Sequence, residues 1–317
     1  MARAHPHRAS APRRLTAFLI PLALIATFAL VAGGAYYALT AFDSGLRTGT
    51  CSASGLDTSH TYSTEQTRNA AIISAVGVDR QLPPRAASIA LATAYQESKL
   101  ENIDYGDRDS VGLFQQRPSQ GWGSVEEIMD PVYASTKFYE ALEKIDGYEN
   151  MEITVAAQKV QRSAYPDAYA DHEVEGRLFA SALTGQSAGE LQCDLVPAGG
   201  PGNPADVQAL IASQYARLSE SGRVSTALGS AGAGAPEGAG ATTLVVTAND
   251  SPELGWSLAN WAVAQAAEHH IVGVDYQGQR WDRARQASND ATQWAGDATG
   301  GADAQSDVVV IYFAGTQ

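Results

Sequence analysis

An uncharged, apolar run fills residues 15–42, with Arg3, Arg8, Arg13 and Arg14 before it and Asp43 after it. A helix needs roughly 20 apolar residues to cross a bilayer, so the run is long enough. Its basic flank predicts an N-terminus held inside and a remainder that is exported. Pro21 does not oppose this, because membrane helices tolerate proline. The rival reading is a cleaved signal peptide, whose apolar core usually spans only about 7–15 residues. Both readings put the chain beyond residue 43 outside the cytoplasm. The first adds the membrane as a partner, through one N-terminal helix.

Export gives the two cysteines, Cys51 and Cys193, a meaning. Disulfides form and persist outside the cytoplasm, and two cysteines allow one intrachain pairing. Two unpaired thiols are the alternative. The formal charge is −14, from 21 Lys+Arg against 35 Asp+Glu. That balance excludes nucleic acid as the main partner, since phosphate binding needs a basic surface. His172-Glu173 and His269-His270 resemble metal ligands in composition only, without the i, i+4 spacing that puts two ligands on one helix face; they read as surface histidines. Asp104, Asp107 and Asp109 could hold a cation, but a plain acidic loop fits better because calcium loops demand a stricter spacing. Neither a metal nor a cofactor is expected.

Residues 43–60 read as a polar spacer. Ser63 with Gln66 forms a capping box that opens a helix ending near Gly77. Pro83 and Pro84 open a second, running to about Lys99. A loop rich in Gly, Asp and Gln follows to Gly123. Asp130-Pro131 starts a helix with Ala134, Phe138, Leu142 and Ile145 at helical spacing. Shorter helices are predicted over residues 154–162 and 166–183. Residues 197–204 read as a Gly/Pro/Ala linker, 207–218 as a modest helix, and 229–241 as a flexible Gly/Ala tract. Residues 244–247, 271–276, 279–281 and 307–313 read as strands, with a helix capped at Ser251-Pro252 among them. Trp256 and Trp261 suit a core better than a ligand platform.

One carboxylate stands out. Glu97 shares its helical face with Thr93, Ala94, Ala90 and Ala86. It therefore ends a small, apolar stripe rather than joining a solvated face. The helix dipole disfavours a negative charge at a C-terminus, and burial adds to that, so both push its pKa up. A carboxylic acid that keeps its proton near neutral pH can donate it to a glycosidic oxygen. Fifteen or so residues on, Gly112 permits a close backbone approach, and Leu113 and Phe114 offer an apolar wall. Gln115 and Gln116 offer amides suited to sugar hydroxyl and N-acetyl groups, while Trp122 and the tyrosines offer flat faces for sugar rings.

Glu97-Ser98 at a helix end, followed by Gly112-Leu113-Phe114-Gln115, resembles the Glu-Ser…Gly-Leu-Met-Gln signature of the soluble lytic transglycosylase and goose-type lysozyme superfamily. The resemblance covers roughly residues 60–185. It implies a lysozyme-like α fold, peptidoglycan as substrate, and one essential acid/base, Glu97, with no second carboxylate. Ser98, Ser110, Gly112, Leu113, Phe114, Gln115, Gln158 and Tyr165 would shape the cleft. Leu100 stands where Phe is common, and Phe114 replaces Met. Ala156-Ala157-Gln158-Lys159-Val160-Gln161 replaces an Ala-Tyr-Asn-Ala-Gly motif, and with the following stretch to Tyr169 is similar to muramidase-like domains of actinobacterial and phage or conjugation proteins. Membrane proteins of this look are sometimes labelled heavy-metal transporters, which one uncharged span without a Cys or His cluster does not support. The C-terminal part is similar to a non-enzymatic α/β appendage of actinobacterial cell-wall proteins, and a wall-protein partner would bind through residues 242–317.

The expected fold class is mainly α: one transmembrane helix, a lysozyme-like α domain and a small C-terminal α/β domain. The expected layout is a cytoplasmic tail (1–14), an anchor (15–42), a spacer (43–60), a catalytic domain (61–195), a linker with a short helix (196–241) and the α/β domain (242–317). The expected function is cleavage of peptidoglycan glycan strands between N-acetylmuramic acid and N-acetylglucosamine. The alternative is an inactive wall-binding or scaffold protein of the same fold.

Overall fold

Every residue from 86 to 94 is buried, and this stretch is the middle of the central helix. The computed structural model describes residues 49–55, 57–162, 168–249, 251–285, 294–296 and 307–316. The helices are α1 (Thr64–Asp79), α2 (Pro84–Ser98), α3 (Val125–Ile128), α4 (Pro131–Leu142), α5 (Ile153–Gln161), α6 (Glu173–Leu183), α7 (Pro204–Gln214), α8 (Ala216–Glu220) and α9 (Pro252–Ala264). The strands are β1 (Thr50–Gly55), β2 (Thr58–Ser63), β3 (Leu191–Asp194), β4 (Val224–Ser230), β5 (Ala239–Ala248), β6 (Ile271–Tyr276), β7 (Gln279–Asp282), β8 (Trp294–Ala295) and β9 (Val308–Ala314).

A helix apolar all round belongs inside a protein, and α2 is wrapped by α6, α1, α5 and α4. Its run of alanines lets those neighbours come close. Gly176 of α6 shows how close: a Cβ there would sit 3.1 Å from both Ala92 N and Ser88 O. The capping chemistry works as the sequence suggests. Ser63 Oγ accepts from Gln66 N while Gln66 Oε1 accepts from Ser63 N. Asp130 Oδ1 accepts from Val132 N at 2.8 Å.

The fold class is mixed α/β, with 43% of the described residues in helix and 22% in strand, which corrects the mainly-α expectation. Two antiparallel sheets carry the strands, in the orders β2-β1-β3 and β4-β5-β9-β6-β7-β8. The first sheet was missed because β1 and β2 are short and rich in Ser and Thr. Cys51, Ala53 and Tyr62 alone turn fully inward from them, which reads locally as a polar spacer. The transmembrane helix expected over residues 15–42 lies outside the described residues. Among the described residues no helix is long and apolar enough to cross a membrane.

The second sheet recruits sequence that reads as linker. β4 pairs with β5 from Val224↔Ala248 to Ser230↔Thr242. Between them, the Gly/Ala tract is pinned by one buried ion pair. Arg280 meets Asp275 through two bonds, Nε–Oδ1 at 2.5 Å and Nη2–Oδ2 at 2.6 Å. Arg280 Nη1 also donates to Gly234 O, and Tyr312 Oη donates to Asp275 Oδ2 at 3.0 Å. Pro236 packs so closely on Gly273 that a Cβ there would lie 2.3 Å from the proline ring. One hydrophobic core runs from Cys51 and the α2 alanines through α9 to Ile311 and Phe313. Trp256 and Trp261 belong to it, with their ring nitrogens bonded to Gln277 and Gln214.

Cys51 sits opposite Cys193 across the β1–β3 ladder, and the two form a disulfide. It closes a loop of 142 residues that contains α1 to α6. Tying such a loop restricts the unfolded chain and stabilises by about 5 kcal/mol in the chain-entropy model. Reduction, or Cys51→Ser with Cys193→Ser, is therefore expected to lower unfolding stability by about 3–5 kcal/mol, read from urea unfolding with and without reductant. An unchanged midpoint contradicts this.

Candidate active site

The end of α2 is held in an unfavourable shape by its neighbours. Lys99 and Leu100 both adopt left-handed backbone, with φ of 58° and 59°. Each non-glycine residue there costs on the order of 1 kcal/mol. Two side chains of α1 offset this. Gln66 Nε2 donates to Lys99 O at 2.8 Å, and Asn69 Nδ2 donates to Leu100 O at 2.7 Å. The chain thus turns sharply just after Glu97-Ser98.

Ser98 then ties this helix end to the second motif. Its hydroxyl donates to Leu113 O at 2.8 Å. Gly112 N donates to Ile103 O at 2.7 Å, and Gly112 has a φ of 79°, where a Cβ would press on Ile128 O at 2.8 Å. Val111 and Gln116 close the turn by exchanging two backbone bonds. Leu113 and Phe114 are fully buried, and Phe114 stacks on Phe138 with ring centroids 4.5 Å apart. They form the apolar backing of the turn and offer no side-chain surface to a ligand.

Glu97 is half-buried. Tyr169 Oη donates to Glu97 Oε1 at 2.6 Å, and the Gln161 amide makes a second bond to the carboxyl. Gln161 Nε2 also donates to Phe114 O at 2.8 Å, so one amide joins the acid to the Gly-Leu-Phe-Gln turn. Burial pushes the Glu97 carboxyl above its ordinary pKa; the Tyr169 and Gln161 bonds oppose this and only partly offset it. A desolvated acid beside two neutral donors holds its proton to a higher pH, yet keeps partners ready for the carboxylate.

The sequence-picked residues divide. Ser98, Gly112, Leu113 and Phe114 build the scaffold behind Glu97. Ser110 is buried and bonds Gln115 Oε1 at 3.0 Å, while Gln115 Nε2 reaches Tyr105 O and Gly112 O. Both brace the loop. Gln158 is half-buried on α5, one turn before Gln161. Tyr165 lies outside the described residues. Tyr169, which holds the acid directly, was missed. It is 72 residues from Glu97 in sequence, and no local periodicity marks it. His172 is not a surface residue. Its ring lies between Glu175 Oε1 at 2.7 Å and Gln96 Oε1 at 2.9 Å, against Tyr95, and fixes the 3-10 turn Ala170–His172 that follows Tyr169. In the acidic loop, Arg117 and Ser119 take up the Asp109 carboxylate and hold its pKa low.

Compared with known proteins, the sequence matches no family model, and no curated protein matches it significantly.

The raised pKa of Glu97 has a consequence for stability. Below the ordinary carboxylate range Glu97 is protonated both folded and unfolded and costs nothing. As pH rises through its raised folded pKa, the unfolded chain releases the proton more readily, and stability is lost. Glu97→Gln removes that loss. The variant should be more stable than the native protein near neutral pH, with the gap closing below about pH 4. Urea midpoints at both pH values read this, and a variant less stable at neutral pH contradicts it.

Proposed function

We propose that the protein cleaves peptidoglycan glycan strands outside the cytoplasm, with Glu97 as its single acid/base. The observation that carries this reading is the Glu97 carboxyl itself. It is desolvated, held by Tyr169 and Gln161, and braced through Ser98 against the Gly112–Gln115 turn. Among the described residues no charged neighbour contributes to its shift, so there the acid depends on burial and two neutral donors. The resemblance of Glu97-Ser98 and Gly112-Leu113-Phe114-Gln115 to the lytic transglycosylase and goose-type lysozyme signature supplies the substrate class. The Cys51–Cys193 disulfide suits an oxidising, extracytoplasmic compartment.

In this mechanism Glu97 gives its proton to the glycosidic oxygen as the bond to the muramic C1 breaks. The substrate's N-acetyl oxygen shares the positive charge that develops at C1. Glu97, now a carboxylate, accepts a proton from the muramic 6-hydroxyl, whose oxygen closes on C1 to leave a 1,6-anhydro end. Attack by water in place of that hydroxyl gives a reducing end. Tyr169 and Gln161 stabilise the carboxylate formed between the two proton transfers, and the buried Leu113 and Phe114 keep the turn that positions Gln161 rigid.

The full chain should release soluble fragments from labelled peptidoglycan. Glu97→Gln should reduce the rate by about 10²–10⁴-fold, the range expected on losing a general acid, while binding to the wall persists. Mass spectrometry of the products assigns anhydro or reducing ends. Undiminished cleavage by Glu97→Gln contradicts the mechanism. Wall binding without any cleavage by the native protein points instead to a scaffold of the same architecture.

A further inference from the structure

A groove that shares Gln161 with the Glu97 site carries charge opposite to that of the whole chain. It has a volume of about 690 Å³ and is lined by Trp122, Lys144, Ile145, Lys159, Gln161 and Arg162, among others. Gln161 is shared: its amide holds the Glu97 carboxyl and the Phe114 carbonyl, and the residue also belongs to the lining of this groove. The groove therefore adjoins the acid's own support.

The three cations come from two helix ends. Lys144 follows the end of α4, while Lys159 and Arg162 lie in the last turn and at the C-terminal cap of α5. All three are exposed, and none forms an ion pair among the described residues. Among the described residues, the acids near Lys144 have other close partners or lie outside the groove lining, although Glu140 also feels the Lys144 charge. Glu140 pairs with Lys137, Glu143 pairs with Arg80, and Asp146 does not line the groove. A cation at a helix C-terminus answers the helix dipole, and both Lys159 in the last turn and Arg162 at the cap stand where they can do that for α5. Arg162 goes further. It occupies a left-handed position with φ of 54°, where glycine would be the cheaper residue. Trp122 is half-buried, packed on the core, and presents an indole to the same groove.

A chain of net charge −14 repels polyanions at a distance. A local cluster of three exposed cations, none in a close ion pair among the described residues, is then a device for admitting anionic groups at one place. The geometry points to a subsite, formed by Lys144, Lys159 and Arg162 beside Trp122, that binds the carboxylates carried by the lactyl and peptide substituents of the glycan strand, with a sugar ring against the indole. This rests on the glycan-cleaving reading and adds to it that the substrate is a peptide-bearing, anionic strand rather than bare sugar.

The test uses the full chain carrying Glu97→Gln, so that the ligand is bound without being cut. Two probes are compared by fluorescence anisotropy at low salt. One is a soluble, peptide-bearing glycan fragment. The other is the same fragment with its carboxylates amidated. The native groove should bind the anionic fragment at least about tenfold more tightly, three exposed charge contacts acting together, and added salt should shrink the gap. Lys144→Gln, Lys159→Gln and Arg162→Gln combined should abolish the gap while leaving affinity for the amidated fragment unchanged. Equal binding of both fragments by the native groove, or an unaltered gap in the triple variant, overturns the subsite while leaving the glycan reading intact. Absence of binding to either fragment overturns both.

Discussion

The structure turns on keeping one carboxyl away from water without leaving it unsupported. Burying Glu97 works against the charged form. The surroundings answer with two neutral donors, Tyr169 and Gln161, rather than with a cation. An arginine in their place would have pulled the pKa down and taken the proton from the acid form. The choice of neutral donors sets what the group can do: hold a proton at rest, then tolerate its loss. Much of the helical part serves that arrangement. The alanine-rich α2 lets α6 approach within backbone contact, α1 captures the carbonyls of the strained helix end, and Ser98 fastens that end to the neighbouring turn.

The remainder of the chain builds on the same core. The disulfide joins the entry strand β1 to β3 at the exit of the helical region. From there the chain enters the larger sheet, whose helix α9 packs on α1 and α6. Ser257 Oγ and Asn260 Nδ2 donate to Leu183 O and Ala182 O at the end of α6. The helix that faces Gly176 to α2 is thus gripped at its far end by the sheet region. The helical half and the sheet half share a hydrophobic interior instead of being beads on a flexible tether.

The helices were legible because their signals are local: Ser63 and Gln66, Pro83 and Pro84, Asp130 and Pro131, Ser251 and Pro252. Glu97 was legible for a related reason, since its place on a small apolar face needs only helical counting. The Gly112 turn was legible from glycine's backbone freedom. What escaped depends on contacts between distant residues. Thr50–Gly55 and Thr58–Ser63 pair with each other as a polar hairpin, and only β3, returning from far along the chain to pair with β1, completes their sheet. The Gly/Ala tract has little strand propensity of its own, and becomes ordered through Arg280, Pro236 and the β4–β5 ladder. Tyr169 and Gln161 reach Glu97 through the packing of α5 and the turn before α6 against α2, which no sequence period encodes. Leu113 and Phe114 were correctly seen as apolar, yet their place is inside the protein rather than along a cleft.

The most direct test is to watch Glu97 itself gain its proton. With carboxyl-labelled glutamate, NMR titration of the native protein and of Glu97→Gln identifies the Glu97 signal by its absence in the variant. The account predicts that this signal titrates above the ordinary glutamate range, and above the exposed glutamates of the same chain. A Glu97 carboxyl that titrates together with those exposed groups, or below them, contradicts it.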